Sequence, residues 1–256
     1  MAEKEHPMNA KRGYVPEDER NFSPEAIETM KTASRHVCYL LNEGYELKSA
    51  STFVGNHLVL SERQRLAMAR SVATAEQLKI RKAKEKISLD GAEVWIDGFN
   101  TVITLEVMYA ESILLECMDG TIRDLAALRG TYRIIPETEE AVRTLFDTLK
   151  AQNVKTAHIL LDEPVSNSGR LKMLLADIGE EYPFCLDIQI LKAVDSALWE
   201  KDNVITTDSI ILDHCLGWFN LMKICVGRYG VKTLRVWEYQ NIGFEIVKEI
   251  VWGTIE

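Results

Sequence analysis

Long apolar runs are missing from this sequence of 256 residues, since none approaches the roughly 20 residues that a membrane-spanning helix requires. The first residues are mostly charged and polar, so the apolar stretch of a secretory signal is missing as well. We therefore expect a cytoplasmic protein with no membrane partner.

Cysteine is scarce and has no functional spacing. The five cysteines are odd in number and scattered through apolar stretches, with no CxxC pair and no zinc-type spacing. This argues against a disulfide framework or a zinc site, and no Ser-His-Asp or Cys-His nucleophile arrangement is found. We predict buried free thiols at all five positions: Cys38, Cys117, Cys185, Cys215 and Cys225.

An excess of positive charge is also missing. The formal net charge of -9 argues against a general polyanion binder, because nucleic-acid affinity depends on Lys and Arg that neutralise phosphates. The charge is unevenly distributed, with 15 Lys and Arg against 13 Asp and Glu in residues 1–90, and 15 against 26 in the rest. A mildly basic segment beside an acidic domain is the distribution that a metal-carboxylate site with a separate substrate-binding element would show. Chance often produces the same distribution.

Three regions follow one another along the chain. Residues 1–22 are polar and lack apolar periodicity, which predicts a poorly ordered leader. Residues 23–88 carry helix signals and predict a helical module. In residues 89–256 short apolar strands alternate with helices, which predicts an α/β domain with a Rossmann-like, mainly parallel sheet.

Local signals define the helical module. Ser23, followed by a proline, is a typical helix start. Ser61 and Gln64 predict a capping box at the start of a long helix that continues into the basic residues 81–86. This basic run is typical of a solvated helix end, and nucleic-acid contact is the alternative interpretation.

The α/β pattern also predicts individual elements. Strands are expected over residues 93–97, 157–162, 185–191, 203–206 and 233–238. Helices are expected over residues 106–115, 123–128, 137–151, 168–178, 194–199 and 208–212.

Three of the predicted strands end in an aspartate: Asp97, Asp162 and Asp208. The carboxyl ends of parallel strands meet at one edge of an open sheet, where such folds bind ligands. Carboxylates gathered there repel one another unless a cation or a proton intervenes, and oxygen ligands suit Mg²⁺ or Mn²⁺. Asp213, about one and a half helical turns after Asp208, is expected to face the same edge. We therefore predict a metal site of these four aspartates, supported by the amide of Asn100.

Polar and basic residues near the strand ends are candidate substrate-binding groups. Ser166, Ser168 and Arg170 lie between a strand and a helix N-terminus, where backbone amides favour an anion. Ordinary helix capping is the alternative there, because the segment lacks the lysine of a P-loop. Arg123 and Arg129 lie around another predicted helix, and surface ion pairing is the alternative for them.

Four motifs together are specific: Asp97-Gly98-Phe99-Asn100, Asp119-Gly120-Thr121-Ile122-Arg123-Asp124-Leu125, Asp162-Glu163-Pro164-Val165-Ser166-Asn167-Ser168-Gly169-Arg170 and Thr206-Thr207-Asp208-Ser209. These motifs, with the helical segment 39–71, resemble an uncharacterised prokaryotic family of unknown function. The resemblance covers residues 35–220.

The C-terminal half of that family is similar to the PIN and NYN nuclease superfamily. Such nucleases bind metal through an Asp that closes the first strand, a second acid on a following helix, and an Asp in a Thr-x-Asp element. The resemblance implies the first role for Asp97, the third for Asp208, and a nearby supporting acid in Asp213. Three acids are candidates for the second role: Asp162 from strand geometry, and Glu106 and Asp124 from the predicted helices.

The leading hypothesis is therefore a Mg²⁺- or Mn²⁺-dependent endonuclease. RNA is favoured over DNA because it is the commoner substrate of the resembling superfamily. A phosphohydrolase of a small nucleotide or phosphorylated metabolite is one alternative, and a catalytically inactive RNA- or protein-binding module is another. A homo-oligomer is compatible with the sequence.

Overall fold

The structure is a computed structural model that describes residues 11–128 and 130–238. Arg129, part of the predicted leader and residues 239–256 of the predicted α/β domain lie outside the described residues. The leader prediction is wrong for residues 11–22, where Asp18–Asn21 form helix α1. Arg12 is buried there with its Nε atom 2.9 Å from Glu106 Oε2. This long-range ion pair explains why a polar segment is packed against the domain.

Four helices form the helical module: α2 (Pro24–Asn42), α3 (Leu47–His57), α4 (Glu62–Ser71) and α5 (Ala75–Lys84). Ser23 caps α2, and the capping box of Ser61 and Gln64 starts α4 as predicted. The prediction of one long helix from there is wrong, because Thr74 and Gln77 form a second capping box that starts α5 anew.

A six-stranded parallel sheet follows. In spatial order its strands are β1 (Glu85–Lys86), β8 (Trp218–Phe219), β7 (Val204–Ile205), β2 (Glu93–Asp97), β5 (Thr156–Asp162) and β6 (Cys185–Leu191). Every neighbouring pair is parallel, which confirms the Rossmann-like α/β prediction. Strand β1 comes directly after α5, so the helical module continues into the edge of the sheet. Two further strands, β3 (Leu114–Glu116) and β4 (Ile122–Asp124), form an antiparallel pair.

Helices cover both faces of the sheet. They are α6 (Gly98–Tyr109), α7 (Glu137–Ala151), α8 (Ser168–Gly179), α9 (Val194–Leu198), α10 (Ser209–His214) and α11 (Leu221–Tyr229). On one face Ile96 and Ile159 pack in a core with residues of α6, α7, α8 and α11. On the other face Leu160 packs with residues of α9 and α10. Burial on both faces explains why the central strands are almost continuously apolar.

The helical module has its own core, which includes residues of the β3–β4 pair. Met30 and Met68 of the module are buried in one cluster with Leu115 and Leu125. The module is thus packed against the α/β domain through this small antiparallel pair.

Three predicted elements are wrong. The helix predicted over 106–115 begins at Gly98 instead, and its last residues belong to β3. The helix predicted over 123–128 begins in strand β4, because pairing with β3 overrides the local preference. The strand predicted over 233–238 is reduced to one bridge between Leu234 and Leu115.

The cysteines are free thiols, as predicted. Four of them are buried, but Cys185 is exposed at the start of the edge strand β6, so the burial prediction is wrong there. In the part of the chain that the structure describes, no helix is long and apolar enough to cross a membrane.

Candidate acidic site at the carboxyl edge of the sheet

Asp97 ends β2 and caps α6. The residue is 6% exposed, and its Oδ1 accepts a hydrogen bond of 3.4 Å from the backbone amide of Asn100. The turn between strand and helix requires Gly98, because a Cβ atom there would lie 2.6 Å from Leu161 Cδ2 and 2.9 Å from the Leu160 carbonyl oxygen. The close approach of helix and sheet therefore fixes where the Asp97 carboxylate lies.

The loop after β7 is tied to Asp97 and Asn100. Thr206 Oγ1 donates to Asp97 Oδ2 at 2.9 Å and accepts from the Asp208 amide at 3.0 Å. Asn100 Oδ1 accepts from the amide of Thr207 at 2.8 Å and from its hydroxyl at 3.0 Å. The side-chain amide of Asn100 thus ties the loop after β7 to the first turn of α6.

Asp208 follows this loop and caps α10, where its Oδ1 accepts from the Ile210 and Ile211 amides at 2.8 and 3.3 Å. Because both of these hydrogen bonds are made through Oδ1, the other carboxylate oxygen of Asp208, Oδ2, has no partner in α10.

The acids at this edge interact electrostatically. Burial raises the pKa of Asp97 to about 7, and the charges of Asp208 and Asp162 contribute, while the Thr206 hydrogen bond opposes the shift. Partial burial also raises the pKa of Asp162. The structure thus brings together three of the predicted acids, and Arg123 is a positive charge that interacts with one of them, Asp208.

Asp195 is a fourth acid of this group that the sequence analysis missed. Partial desolvation raises its pKa, followed by the charges of Asp208 and Asp162. Asp195 is exposed on α9, four residues after β6 ends. An acid within one helical turn of a fourth strand end is the signal that could have identified it.

All donors in this acidic cluster, defined as Asp97, Asp162, Asp195 and Asp208, are carboxylate oxygens, which suit a hard divalent cation. Among the described residues, however, no three His, Cys, Asp or Glu side chains are grouped closely enough to hold a metal ion. The residue types fit a divalent metal, whereas their separation in this structure does not form a closed ligand set.

Asp213 does not join the cluster, so its predicted position is wrong. Arg81 Nε donates to Asp213 Oδ1 at 2.7 Å, and Gln77 Nε2 donates to Oδ2 at 2.9 Å. Arg81 is itself buried and also binds Asp119 at 2.7 Å. Asp213 is therefore part of an ion-pair network. Because Arg81 is buried in this network, the interpretation of the basic run 81–86 as a solvated helix end is wrong for its first residue.

Glu106 is buried away from the acidic cluster. It accepts hydrogen bonds of 2.7 Å from the Tyr132 hydroxyl and 2.5 Å from the Thr138 hydroxyl, and it pairs with Arg12. These contacts assign it a structural role and remove it as the second acid.

Asp124 is buried at the end of β4. Its Oδ2 accepts from the Thr104 hydroxyl at 3.0 Å, and Oδ1 accepts from the Ala126 amide at 2.8 Å. Arg70 Nη1 lies 3.5 Å from Oδ1. Asp124 is therefore held by protein groups, although it lines a cavity beside Asp208.

Arg123 is close to the site, but each of its three guanidinium nitrogens donates to a protein group. Its Nε donates to the Thr207 carbonyl at 2.7 Å, Nη2 donates to Asp119 at 2.5 Å, and Nη1 donates to the Arg70 carbonyl. Arg123 therefore positions the loop after β7, which leads to Asp208, and is a poor ligand for a substrate anion.

The predicted anion-binding segment lies at the start of α8. Ser166 and Arg170 are exposed, and Ser168 is the first residue of the helix. The Ser166 amide donates to the Gly130 carbonyl at 3.0 Å, and the Ser168 amide donates to the Val165 carbonyl at 3.4 Å. Both amides are thus already used by backbone carbonyls, although the N-cap residue Asn167 makes no side-chain capping hydrogen bond.

A cavity of about 370 Å³ opens beside Asp208, between the helical module and the α/β domain. It is lined by Leu47, Ala69, Arg70, Asn100, Ile103, Arg123, Asp124, Ala127, Leu128, Thr207, Asp208 and Ser209.

The fold and the site define a Rossmann-like α/β protein with an acidic edge at the carboxyl ends of its strands. Residues 86–224 match the family described as a domain of unknown function, DUF5616, and the chain belongs to this family. Residues 29–84 match a second family, described as a protein of unknown function, DUF434. The predicted resemblance to an uncharacterised family is thereby confirmed.

One relative is an uncharacterized protein of Methanocaldococcus jannaschii. It is 33% identical over 186 residues, which are 72% of this chain and 89% of the relative. No solved structure matches the chain.

Proposed function

We propose that this protein is a Mg²⁺- or Mn²⁺-dependent endonuclease of the PIN-like class that cleaves RNA. The observation that carries the proposal is the environment of Asp97. It is a buried carboxylate at the carboxyl end of the central strand, tied to the Thr206 loop, and its pKa is raised to about 7 by burial and by two neighbouring acids.

Such an arrangement favours a cation, because uncompensated carboxylates destabilise one another in a partly buried site. Asp97 and Asp208 are the candidate ligands, with Asp162 and Asp195 beside them. A bound divalent ion would supply an activated water and stabilise the leaving oxygen of a phosphodiester.

The chain's own residues support this chemistry. Thr206 and Asn100 hold the ends of β2 and β7 together, so that Asp97 and Asp208 keep a fixed relation. Asp162 is half-buried, and this partial burial raises its pKa, so its carboxylate is a stronger proton acceptor than that of an exposed aspartate. DNA is the second substrate class to compare.

The test uses purified full-length protein, labelled single-stranded RNA, and Mn²⁺ or Mg²⁺. The Asp97→Asn/Asp208→Asn double variant and EDTA should abolish cleavage. Asp177→Asn, which neutralises an exposed aspartate on α8, should leave cleavage unchanged.

Calorimetric titration with Mn²⁺ separates the alternatives. Metal binding that needs Asp97 and Asp208, without cleavage of any RNA or DNA, would favour a phosphohydrolase of a small nucleotide. If neither metal binding nor cleavage is observed, the protein is a binding module and the proposal is wrong.

A further inference from the structure

The cavity beside Asp208 joins the two parts of the chain. Ala69 and Arg70 of α4 line it from the helical module, while Asn100 and Asp208 line it from the α/β domain. Its volume of about 370 Å³ is within the range of roughly 300–1,000 Å³ that small-ligand sites occupy. A ligand held there would contact both the module and the strand edge.

The acidic residues that line the cavity limit which ligands it can bind. Asp124 and Asp208 would repel a phosphate unless a cation faces it. Two described cationic side chains line the cavity, Arg70 and Arg123. All three guanidinium nitrogens of Arg123 donate to protein oxygens, so it has little capacity left for an anion.

Arg70 differs in this respect. Its side chain is 32% exposed, and Nη1 donates to the Asp124 carbonyl and lies 3.5 Å from the Asp124 carboxylate. Within the described part of the chain, its Nε and Nη2 have no hydrogen-bond partner, and a guanidinium with free N–H groups on two adjacent nitrogens suits a phosphate. The Arg123 bond to the Arg70 carbonyl also fixes α4 against the Asp208 loop.

We propose that Arg70 binds a backbone phosphate of single-stranded RNA in this cavity and positions it next to Asp208. The nature of the ligand rests on the proposed function. The consequence is that the helical module completes the substrate site, with Arg70 as a positioning residue.

The test measures anisotropy of fluorescein-labelled single-stranded RNA over a range of salt concentrations in EDTA. The parent protein is Asp97→Asn, which removes cleavage without changing the cavity lining. Adding Arg70→Gln should weaken binding about tenfold and reduce the slope of log K against log salt by about 0.7, the value for one lost phosphate contact on a single strand. A purely structural role for Arg70 would not change this slope.

Two matched variants accompany this measurement. Arg70→Lys should keep the slope with a smaller loss of affinity, and Lys79→Gln, an exposed charge on α5, should change neither quantity. If Arg70→Gln fails to fold in a thermal melt, Ala69→Glu on the same wall should weaken RNA binding in the same direction.

The two proposals fail separately. An unchanged salt slope in Arg70→Gln, or no binding of the labelled RNA by the parent protein, overturns the role of Arg70 even if wild type cleaves RNA. Conversely, absence of cleavage by wild type, together with a reduced slope in Arg70→Gln, overturns the nuclease proposal and supports the phosphate contact.

Discussion

Thr206 donates its hydroxyl hydrogen to Asp97 Oδ2 at 2.9 Å, and this contact joins the ends of two adjacent parallel strands. The same hydroxyl oxygen accepts from the Asp208 amide. One side chain therefore connects the two acids that the nuclease proposal places at its centre.

The first prediction concerns this contact. Thr206→Val keeps the shape of the side chain but removes both hydrogen bonds, so it should lower the free energy of unfolding by about 1–3 kcal/mol. The pKa of Asp97 should rise further, because the Thr206 hydrogen bond lowers it. Urea denaturation at pH 8 measures the loss. Thr206→Ser retains the hydroxyl and is the control, and equal stability of the Val and Ser variants would argue against this role.

The second prediction concerns pH. Because the folded-state pKa of Asp97 is raised to about 7, the folded protein keeps a proton that the unfolded chain releases near pH 4. The retained proton on Asp97 contributes to the free energy of unfolding. This contribution is fully present below the unfolded-state pKa and is lost as the pH rises through 7. Asp97→Asn does not ionise, so it should gain on the order of 2–3 kcal/mol relative to wild type between pH 5 and pH 8.5.

Urea unfolding in EDTA at several pH values measures this difference, with Asp177→Asn as the exposed control. A parallel pH dependence of wild type and Asp97→Asn would show that Asp97 is ionised normally. If Asp97 is a metal ligand, Mn²⁺ at pH 8.5 should restore stability to wild type and not to the variant.

The third prediction distinguishes Asp208, which caps α10, from Asp213, which lies within that helix. Asp213→Asn weakens the ion pair with the buried Arg81, so the free energy of unfolding should fall by about 1–3 kcal/mol. Metal binding should remain, because Asp213 is outside the acidic cluster. Asp208→Asn should have the opposite profile, with Mn²⁺ affinity lost. Calorimetric titration and thermal melting of both variants provide the comparison, and loss of metal binding in Asp213→Asn would restore it as a ligand.

The part of the site that could be predicted from the sequence depends on strand ends. Asp97, Asp162 and Asp208 follow apolar strands that all run in one direction, so the sheet rule places them at one edge without knowledge of side-chain contacts. The capping box of Ser61 could also be predicted from the sequence, because its two partners are only three residues apart.

The remaining residues depend on long-range contacts that a local pattern does not contain. Asp213 was assigned by helical spacing, but its partner Arg81 lies 132 residues earlier in the chain. Arg123 has a helix-compatible neighbourhood, yet it belongs to a strand because β3 pairs with β4. Arg70 carries no motif of its own, and only the packing of the helical module places it beside Asp208.

The last prediction concerns Gly98, in the turn between β2 and α6 that positions the carboxylate of Asp97. Gly98→Ala would place a Cβ atom 2.9 Å from the Leu160 carbonyl oxygen, and the backbone of β5 cannot move aside without disturbing the central sheet. We expect a loss of about 1–3 kcal/mol in the free energy of unfolding. Metal binding should also weaken, since α6 and its capping Asp97 would shift together.

Gly169→Ala is the matched control for this substitution. Gly169 also lies in the first turn of a helix, but a Cβ atom there would meet nothing within 4 Å. Alanine has the higher helix propensity, so this variant should be neutral or more stable by up to about 1 kcal/mol. Urea denaturation of both variants decides the matter. Similar effects at the two positions would show that helix propensity, and not the close approach of α6 to β5, governs the Gly98 turn.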